Sequence, residues 1–295
     1  MDIEKKTCPR DEIDIHKELK ILTLLGASVR VCPSAPNMNL TLKKIFPKFY
    51  RYVKSIENKI PANVEFWDKK KYRVTRKIIT FFKPWRGWPR LKAEANLAFE
   101  NYNGGDFIDV GAYHGHFSYF FAPKANDFDN FISCQPDHNV QDELFENLSI
   151  LNNVFKKIKF SIISNPISSG KDVYQVDTIY GHPAFIAIDN KFKSDDIKKK
   201  IKSTTIDLLV DSLSLKPKFI KIDVEGAEYD VLKGMNNTFL NFKPAILIEK
   251  HPTLIPKNTT IEEIDNFLKS KNYILKKKIY ADSIAINEIW KFNEK

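Results

Sequence analysis

From residue 106 onward, short apolar runs bounded by turn residues alternate with helical stretches, and this alternation limits the possible folds more than any other feature. The run "DFIDVGA" (106–112) reads as a buried strand, and "HGHFSYFFA" suits the helix after it. "NFISC" (130–134) and "KIKFSIIS" are further strands, with a helix over 138–151 between them. "KFIKID" leads into a helix over 225–240. "PAILIE" leads into a helix over 260–271, where Thr260 suits the N-cap and Glu263 follows three residues on. "NYILKKK" and "DSIAINEIW" close the chain as two strands joined without a helix. Strands alternating with helices imply an α/β fold built on a doubly wound, mostly parallel seven-stranded sheet, and the final hairpin implies one antiparallel edge. Residues 165–205 read as irregular, with the lysine run at 198–202 on a solvated surface.

Ahead of this pattern, residues 1–100 read as a helical, basic N-terminal extension to a domain spanning 101–295. Helices are expected near 11–25, over 41–60 and over 70–82, the last two basic and amphipathic, and again over 89–101. The net charge of +10 is concentrated there: residues 41–92 hold 16 Lys and Arg against three acids. A plain solvated helical face explains such a segment. So does a peripheral membrane contact, because "FFKPWRGW" adds interfacial aromatics to the cationic helices. A cap on the following domain, or a dimer contact, is the third reading. No run of apolar residues is long enough to span a bilayer, and the charged start lacks the apolar middle of a signal peptide, so the expected location is cytoplasmic, with the inner face of a membrane as the alternative. Cys8, Cys32 and Cys134 lack metal-ligand spacing and read as free thiols of a reducing compartment.

In a doubly wound sheet, ligands bind beyond the carboxyl ends of the strands, near the point where strand order reverses. The first such end, "IDVGAYHGHFS", offers Gly111 and Gly115 for a tight turn and close backbone approach. Neither the dinucleotide fingerprint nor the phosphate-loop ending is present. The second strand delivers Gln135 where nucleoside-binding proteins of this class often carry an acid. The fourth delivers Asp223, an expensive strand-end carboxylate unless it has a partner, with Lys221 one pleat before it. Glu225 and Glu228 follow, and capping of the next helix competes with a functional role for both. The fifth strand brings Glu249 and His251 to the neighbouring end.

Together, "FIDVGAYHGHFS", "TIDLL", "FIKIDVEGAEYDVLKGM" and "PAILIEKH", in this order, resemble the FkbM-type methyltransferases. That resemblance implies a Rossmann-like class I methyltransferase fold and S-adenosylmethionine as cofactor. It also implies O-methyl transfer to a hydroxyl, most often on a sugar of a glycan, here with a lipid-linked or anionic acceptor among the options. It would set Asp109, Gly111, Tyr113, His114, Gly115 and Ser118 around the cofactor, Gln135 toward the ribose and Asp223 at the methyl-transfer site. The chain departs from the family pattern at Tyr113, where Asn is usual, and at "CQP", where Gln135 replaces Glu.

A hydroxyl is a poor nucleophile at neutral pH, so it needs a base or a metal. Asp223 is the expected base or orienting residue, assisted by Glu225, Glu249, His251 and Lys221. A divalent cation on Asp223 and Glu249 is the alternative. Two other functions stay in play: nucleic-acid methylation through the basic segment, although the fourth strand lacks the motif of amino-directed enzymes, and a degenerate cofactor fold kept as a binding module, suggested by Tyr113 and Gln135.

Overall fold

Seven of the predicted apolar runs pair into one sheet in a computed structural model that describes residues 61–65, 69–75, 89–177, 183–186, 197–256, 259–281 and 285–294. All of these fall within the second of the chain's two compact units, Glu57–Lys295. The helices expected near 11–25 and over 41–60 lie outside the described residues, as do Cys8 and Cys32.

The described chain opens with an antiparallel pair, β1 (Pro61–Glu65) and β2 (Lys71–Thr75). The helix expected over 70–82 is therefore corrected at 71–75. Tyr72, Val74 and Thr75 are strand formers, and the preceding segment supplies a ladder that a local reading of periodicity does not see. Helix α1 (Pro89–Asn101) follows, then β3 (Asp106–Val110), α2 (His116–Phe121), β4 (Asn130–Cys134), α3 (His138–Val154) and β5 (Lys159–Ile163).

The stretch expected to be irregular forms a second, three-stranded antiparallel sheet: β6 (Val173–Asp177), β7 (Pro183–Ile186) and β8 (Ile197–Ile201), with β6 in the middle. Three lysines in β8 hide its strand character, and β8 is an edge, the position where lysine is commonly used to block further pairing. After α4 (Ile206–Ser212) come β9 (Pro217–Ile222), α5 (Glu228–Lys233), α6 (Asn236–Asn241) and β10 (Ala245–Lys250). The single helix expected over 225–240 is thus two. It starts only at Glu228 and breaks at Gly234, where an added Cβ would stand 2.1 Å from the Ser168 carbonyl oxygen. Helix α7 (Ile261–Ser270) carries the predicted capping box between Thr260 and Glu263, and β11 (Tyr273–Ala281) and β12 (Ile286–Phe292) form the expected hairpin.

The main sheet runs β11-β12-β10-β9-β3-β4-β5. Strands β10, β9, β3, β4 and β5 are mutually parallel, and β12 is antiparallel to both of its neighbours. The antiparallel strand is therefore not the edge: β12 inserts between β10 and β11. Apolar side chains bury both faces, as a doubly wound sheet requires. One face packs Phe107, Phe131, Phe219, Leu247 and Ile289 against α1, α2 and α3, and the other packs Ile108, Val110, Ile132, Ile220, Ile222 and Ile248 against α4 to α7. Chain order reverses between β3 and β9, so the crevice for a ligand lies beyond Val110 and Ile222. Among the described residues no helix is long and apolar enough to cross a membrane.

Candidate active site

Strand β3 ends by turning tightly against the end of β9. The Asp223 amide donates to the Val110 carbonyl at 3.0 Å, and the Gly111 and Ala112 amides donate to the Cys134 carbonyl. Gly111 has φ +84°, and a Cβ there would sit 1.7 Å from the Asp223 carbonyl oxygen, so this approach demands glycine. The parallel register sets Asp109 directly beside Lys221 on β9 and Ser133 on β4. Asp109 is wholly buried and neither carboxylate oxygen has a hydrogen-bond partner. Burial pushes its carboxyl up to about 6; Lys221 opposes that rise and Asp223 adds to it. The Ser118 hydroxyl, one helical turn beyond Gly115, is also buried and without a partner.

Beyond β9 the predicted reaction-centre residues converge. Lys221 Nζ donates to Asp223 Oδ2 at 2.8 Å and lies 4.9 Å from the centre of the Phe117 ring. Burial disfavours its ammonium, but Asp223, Asp109 and Glu94 outweigh that and hold it above the ordinary lysine range. His251, nearly buried, pairs through Nδ1 with Glu228 Oε1 at 2.8 Å. A carboxylate can only accept, so Nδ1 is the donor. The opposite nitrogen, Nε2, faces Glu225 Oε2 at 3.6 Å and Asp223 Oδ1 and Glu249 Oε1 at 3.8 Å each. Burial lowers the basicity of this ring, yet the Glu228 hydrogen bond and charge, with Asp223 and Glu225 behind them, raise it to about 10. Glu225 stands ahead of α5 rather than in its first turn, at φ +54°, a left-handed conformation that costs a non-glycine residue roughly 1–2 kcal/mol. Gly226 follows at φ +105°, where a Cβ would meet the Leu254 carbonyl oxygen at 2.5 Å. This turn is what directs Glu225 and Glu228 to opposite sides of His251.

The remaining predicted residues line the other flank. Gln135 is buried at the end of β4, its Oε1 accepting the Asp137 amide at 3.4 Å. Tyr113 (φ +47°) is 37% exposed, with its ring 3.8 Å from that of His114, centre to centre. His114 Nδ1 is 3.6 Å from Glu143. Two residues lay outside the predicted catalytic set. For Glu228 a helix cap and a functional role had weighed evenly, and Glu94, buried on α1, acts on Lys221 from a helix whose sequence gives no sign of it. An open concavity of about 560 Å³ lies at the far end of β10, around Lys243, Lys276 and Lys291. It shares no residue with the cluster.

Buried polar atoms without protein partners suit a polar ligand. The Asp109 carboxylate and the Ser118 hydroxyl, beside a backbone cradle open only to glycine, fit the amino-acid end of S-adenosylmethionine. A divalent cation fits less well. Asp223, Glu225 and His251 do bring potential ligand atoms within 4.8 Å of one another. A ligating imidazole must be deprotonated at the metal-facing nitrogen, whereas Glu228, Asp223 and Glu225 favour the protonated ring when no ion is bound. The other oxygen of Asp223 is already bound to Lys221. We assign no metal to this centre.

Residues 109–275 match the model of the methyltransferase FkbM domain, a span that takes in every residue of the cluster except Glu94. A hexuronic acid methyltransferase, AglP, of Haloferax volcanii is 31% identical over 156 residues, which cover 52% of this chain and 58% of that protein. The chain thus matches little more than half the length of this relative. Among solved structures, a methyltransferase FkbM from Methylobacillus flagellatus is similar at 18% identity and a TM-score of 0.45, over 64% of this chain and 44% of that one. A protein of the NADB-Rossmann superfamily from Streptococcus agalactiae is similar at 13% identity and a TM-score of 0.39, over 70% and 69%.

Proposed function

Because the chain belongs to the FkbM methyltransferase family, we propose that it transfers a methyl group from S-adenosylmethionine to an oxygen of a sugar, most simply a hydroxyl of a glycan or glycoconjugate. The observation that carries this reading is the pairing of an orphaned, buried Asp109 beside the glycine turn with the acid–histidine cluster one strand away. The first suits a cofactor bearing an ammonium group, and the second suits an oxygen nucleophile that must lose a proton. The sugar class is supported by the hexuronic acid methyltransferase.

When bound, the cofactor supplies a methyl carbon on a positively charged sulfur. The chain's own residues do the rest. Asp109 and Ser118 hold the amino-acid end, and the Gly111 turn lets the backbone approach it closely. Lys221 sits between Asp109 and Asp223 and keeps the two carboxylates tolerable in a buried crevice. Asp223, half open to the crevice at 27% side-chain exposure, takes the proton of the acceptor hydroxyl. Acceptor choice falls to segments that leave the same rim of the sheet, chiefly the β6–β8 sheet that follows β5. A cytoplasmic location and a peripheral membrane contact through residues 41–92 belong to the same proposal. Liposome sedimentation of the full chain, with and without Lys43, Lys44 and Lys48 changed to Gln, tests the contact.

The functional test is Asp223→Asn. Calorimetry with S-adenosylhomocysteine should give an affinity close to that of the unaltered protein. Methyl transfer to a panel of neutral and uronic sugars, read by mass spectrometry, should fall by about 100- to 10,000-fold, the usual worth of a positioned base. Undiminished transfer would remove Asp223 from the role. Absence of cofactor binding in the unaltered protein would favour a degenerate binding module instead.

A further inference from the structure

At the end of the sheet opposite the crevice, Lys243, Lys276 and Lys291 line one concavity of about 560 Å³, a volume in the range of small-ligand sites. Three elements build it. Lys243 closes α6: its amide donates to the Thr238 carbonyl at 3.3 Å, and its φ of +52° is the left-handed conformation that glycine or asparagine usually supplies there. A lysine in that conformation is strained, and its Nζ stands 4.4 Å from the centre of the Phe292 ring, part of the same wall. The ladder sets Lys291 of β12 beside Ile274 of β11. Lys276 falls where that ladder slips, between Leu275 and Lys277, at a bulge of the kind that re-aims a side chain. Among the described residues none of the three ammoniums has a carboxylate partner, and Glu294, the one acid of the lining, pairs with none of them. Ala245, Ile274 and Phe292 make the remaining wall apolar, and Asn293 adds an amide that makes no side-chain hydrogen bond. Like charges gathered without counter-ions attract an anion. Apolar walls with a free amide suit a sugar ring, which has C–H faces and hydroxyl edges.

We propose that this concavity is a second saccharide site, that it binds a sugar unit carrying a carboxylate, and that it holds one stretch of a polyanionic acceptor while another stretch is methylated. The role given to the site rests on the sugar O-methylation reading; the binding itself does not. Strand β10 (Ala245–Lys250) starts at the concavity and ends at the acid–histidine cluster, about 17 Å away at about 3.3 Å per residue. One sugar unit therefore cannot occupy both places, whereas an oligosaccharide can. Two linked sites raise the affinity for a chain that reaches both, without changing either site's hold on a short ligand. The concave shape favours a saccharide over a lipid surface, which would meet a flat patch.

The test compares the full chain with the double variant Lys276→Gln, Lys291→Gln, which leaves Lys243 and its backbone in place; a melting temperature near the parent's shows that the fold is intact. Calorimetry without cofactor comes first. Trigalacturonate should bind the parent and bind the variant about tenfold more weakly, as expected for lost charge pairs near solvent, and the parent's binding should weaken as salt is raised. Maltotriose, the uncharged probe, should bind far more weakly than trigalacturonate. Equal binding of maltotriose, or trigalacturonate binding that the variant leaves unchanged, would overturn the proposal. Inorganic phosphate bound as tightly as trigalacturonate would reduce the concavity to an ion site and overturn it too. So would loss of anionic-liposome sedimentation in the variant with no trigalacturonate binding to the parent, which would give the concavity to a lipid headgroup. The second readout is methyl transfer to galacturonate oligomers of increasing length. In the parent, kcat/KM should rise about tenfold or more from the monomer to a chain long enough to reach both sites, and that ratio should fall toward one in the variant. A ratio that the variant does not change would overturn the role given to the site. If no uronate is methylated, the sugar reading fails while calorimetry still decides whether the concavity binds the saccharide.

Discussion

Asp109→Asn should make the cofactor-free protein more stable at neutral pH while weakening its hold on the cofactor. Asp109 is wholly buried, has no hydrogen-bond partner on either oxygen, and its carboxyl is raised from 3.8 to about 6. A carboxyl whose folded-state value lies above its unfolded one contributes stability that is whole below the unfolded value and is lost as pH rises through the folded one. The window here runs from about 4 to about 6. Across it, ionising Asp109 in place costs about 3 kcal/mol, at 1.36 kcal/mol for each pH unit of displacement. An amide of the same shape never ionises, so the variant escapes that cost. Urea unfolding followed by tryptophan fluorescence, with Trp290 buried as one reporter, should show near-equal stabilities below pH 4, then a gap widening to about 3 kcal/mol in favour of the variant above pH 6. Calorimetry should show S-adenosylhomocysteine binding weakened by about ten- to a hundredfold, because an ammonium loses its charged partner. A variant less stable than the parent at neutral pH would refute the reasoning, since it would mean that the Lys221 contact outweighs burial. Unchanged cofactor affinity would refute the assignment of Asp109 to the cofactor.

Two further perturbations probe the frame around the site. Gly111→Ala must move the Asp223 carbonyl out of a 1.7 Å contact and adopt φ +84°, so it should disrupt the β3–β9 junction by several kcal/mol, at least the roughly 1–2 kcal/mol of a left-handed alanine; a melting temperature within a degree of the parent would contradict the geometry. Lys250→Met removes a fully buried ammonium from Asp265 at 2.5 Å and Glu288 at 2.6 Å, leaving Glu288 almost wholly buried beside Trp290 Nε1. Breaking such a pair costs about 3–5 kcal/mol, which lowers the melting temperature by roughly 10 °C in a domain of this size.

The acid–histidine cluster was legible before the fold because strand ends are local features. Apolar runs name β9 and β10, and the residues at or just past their ends, Asp223, Glu249 and His251, must meet if those strands are neighbours, as they are. The capping box at Thr260 was legible for the same reason: both partners lie within one helical turn. Elsewhere local reading failed. Residues 71–75 and the lysine-rich β8 carry weak or masked strand signals, and they are strands because another segment supplies a ladder. The antiparallel strand was expected at the edge, but hairpin connectivity does not say which of its two strands pairs with β10.

Sequence alone determined the kinds of groups present and the ends of the elements that carry them, since propensity, periodicity and capping act over a few residues. Only tertiary structure decided which charges share a burial site. Glu228 answers a histidine 23 residues away. Asp109 meets the lysine of a strand more than a hundred residues later and finds no hydrogen bond there. Glu94 reaches the same lysine from a helix on the covering face. Those pairings set which acid is made costly to ionise and which base is held charged, because the energy of a charge depends on the solvent it has lost and the neighbours it has gained, and both are fixed when the sheet closes.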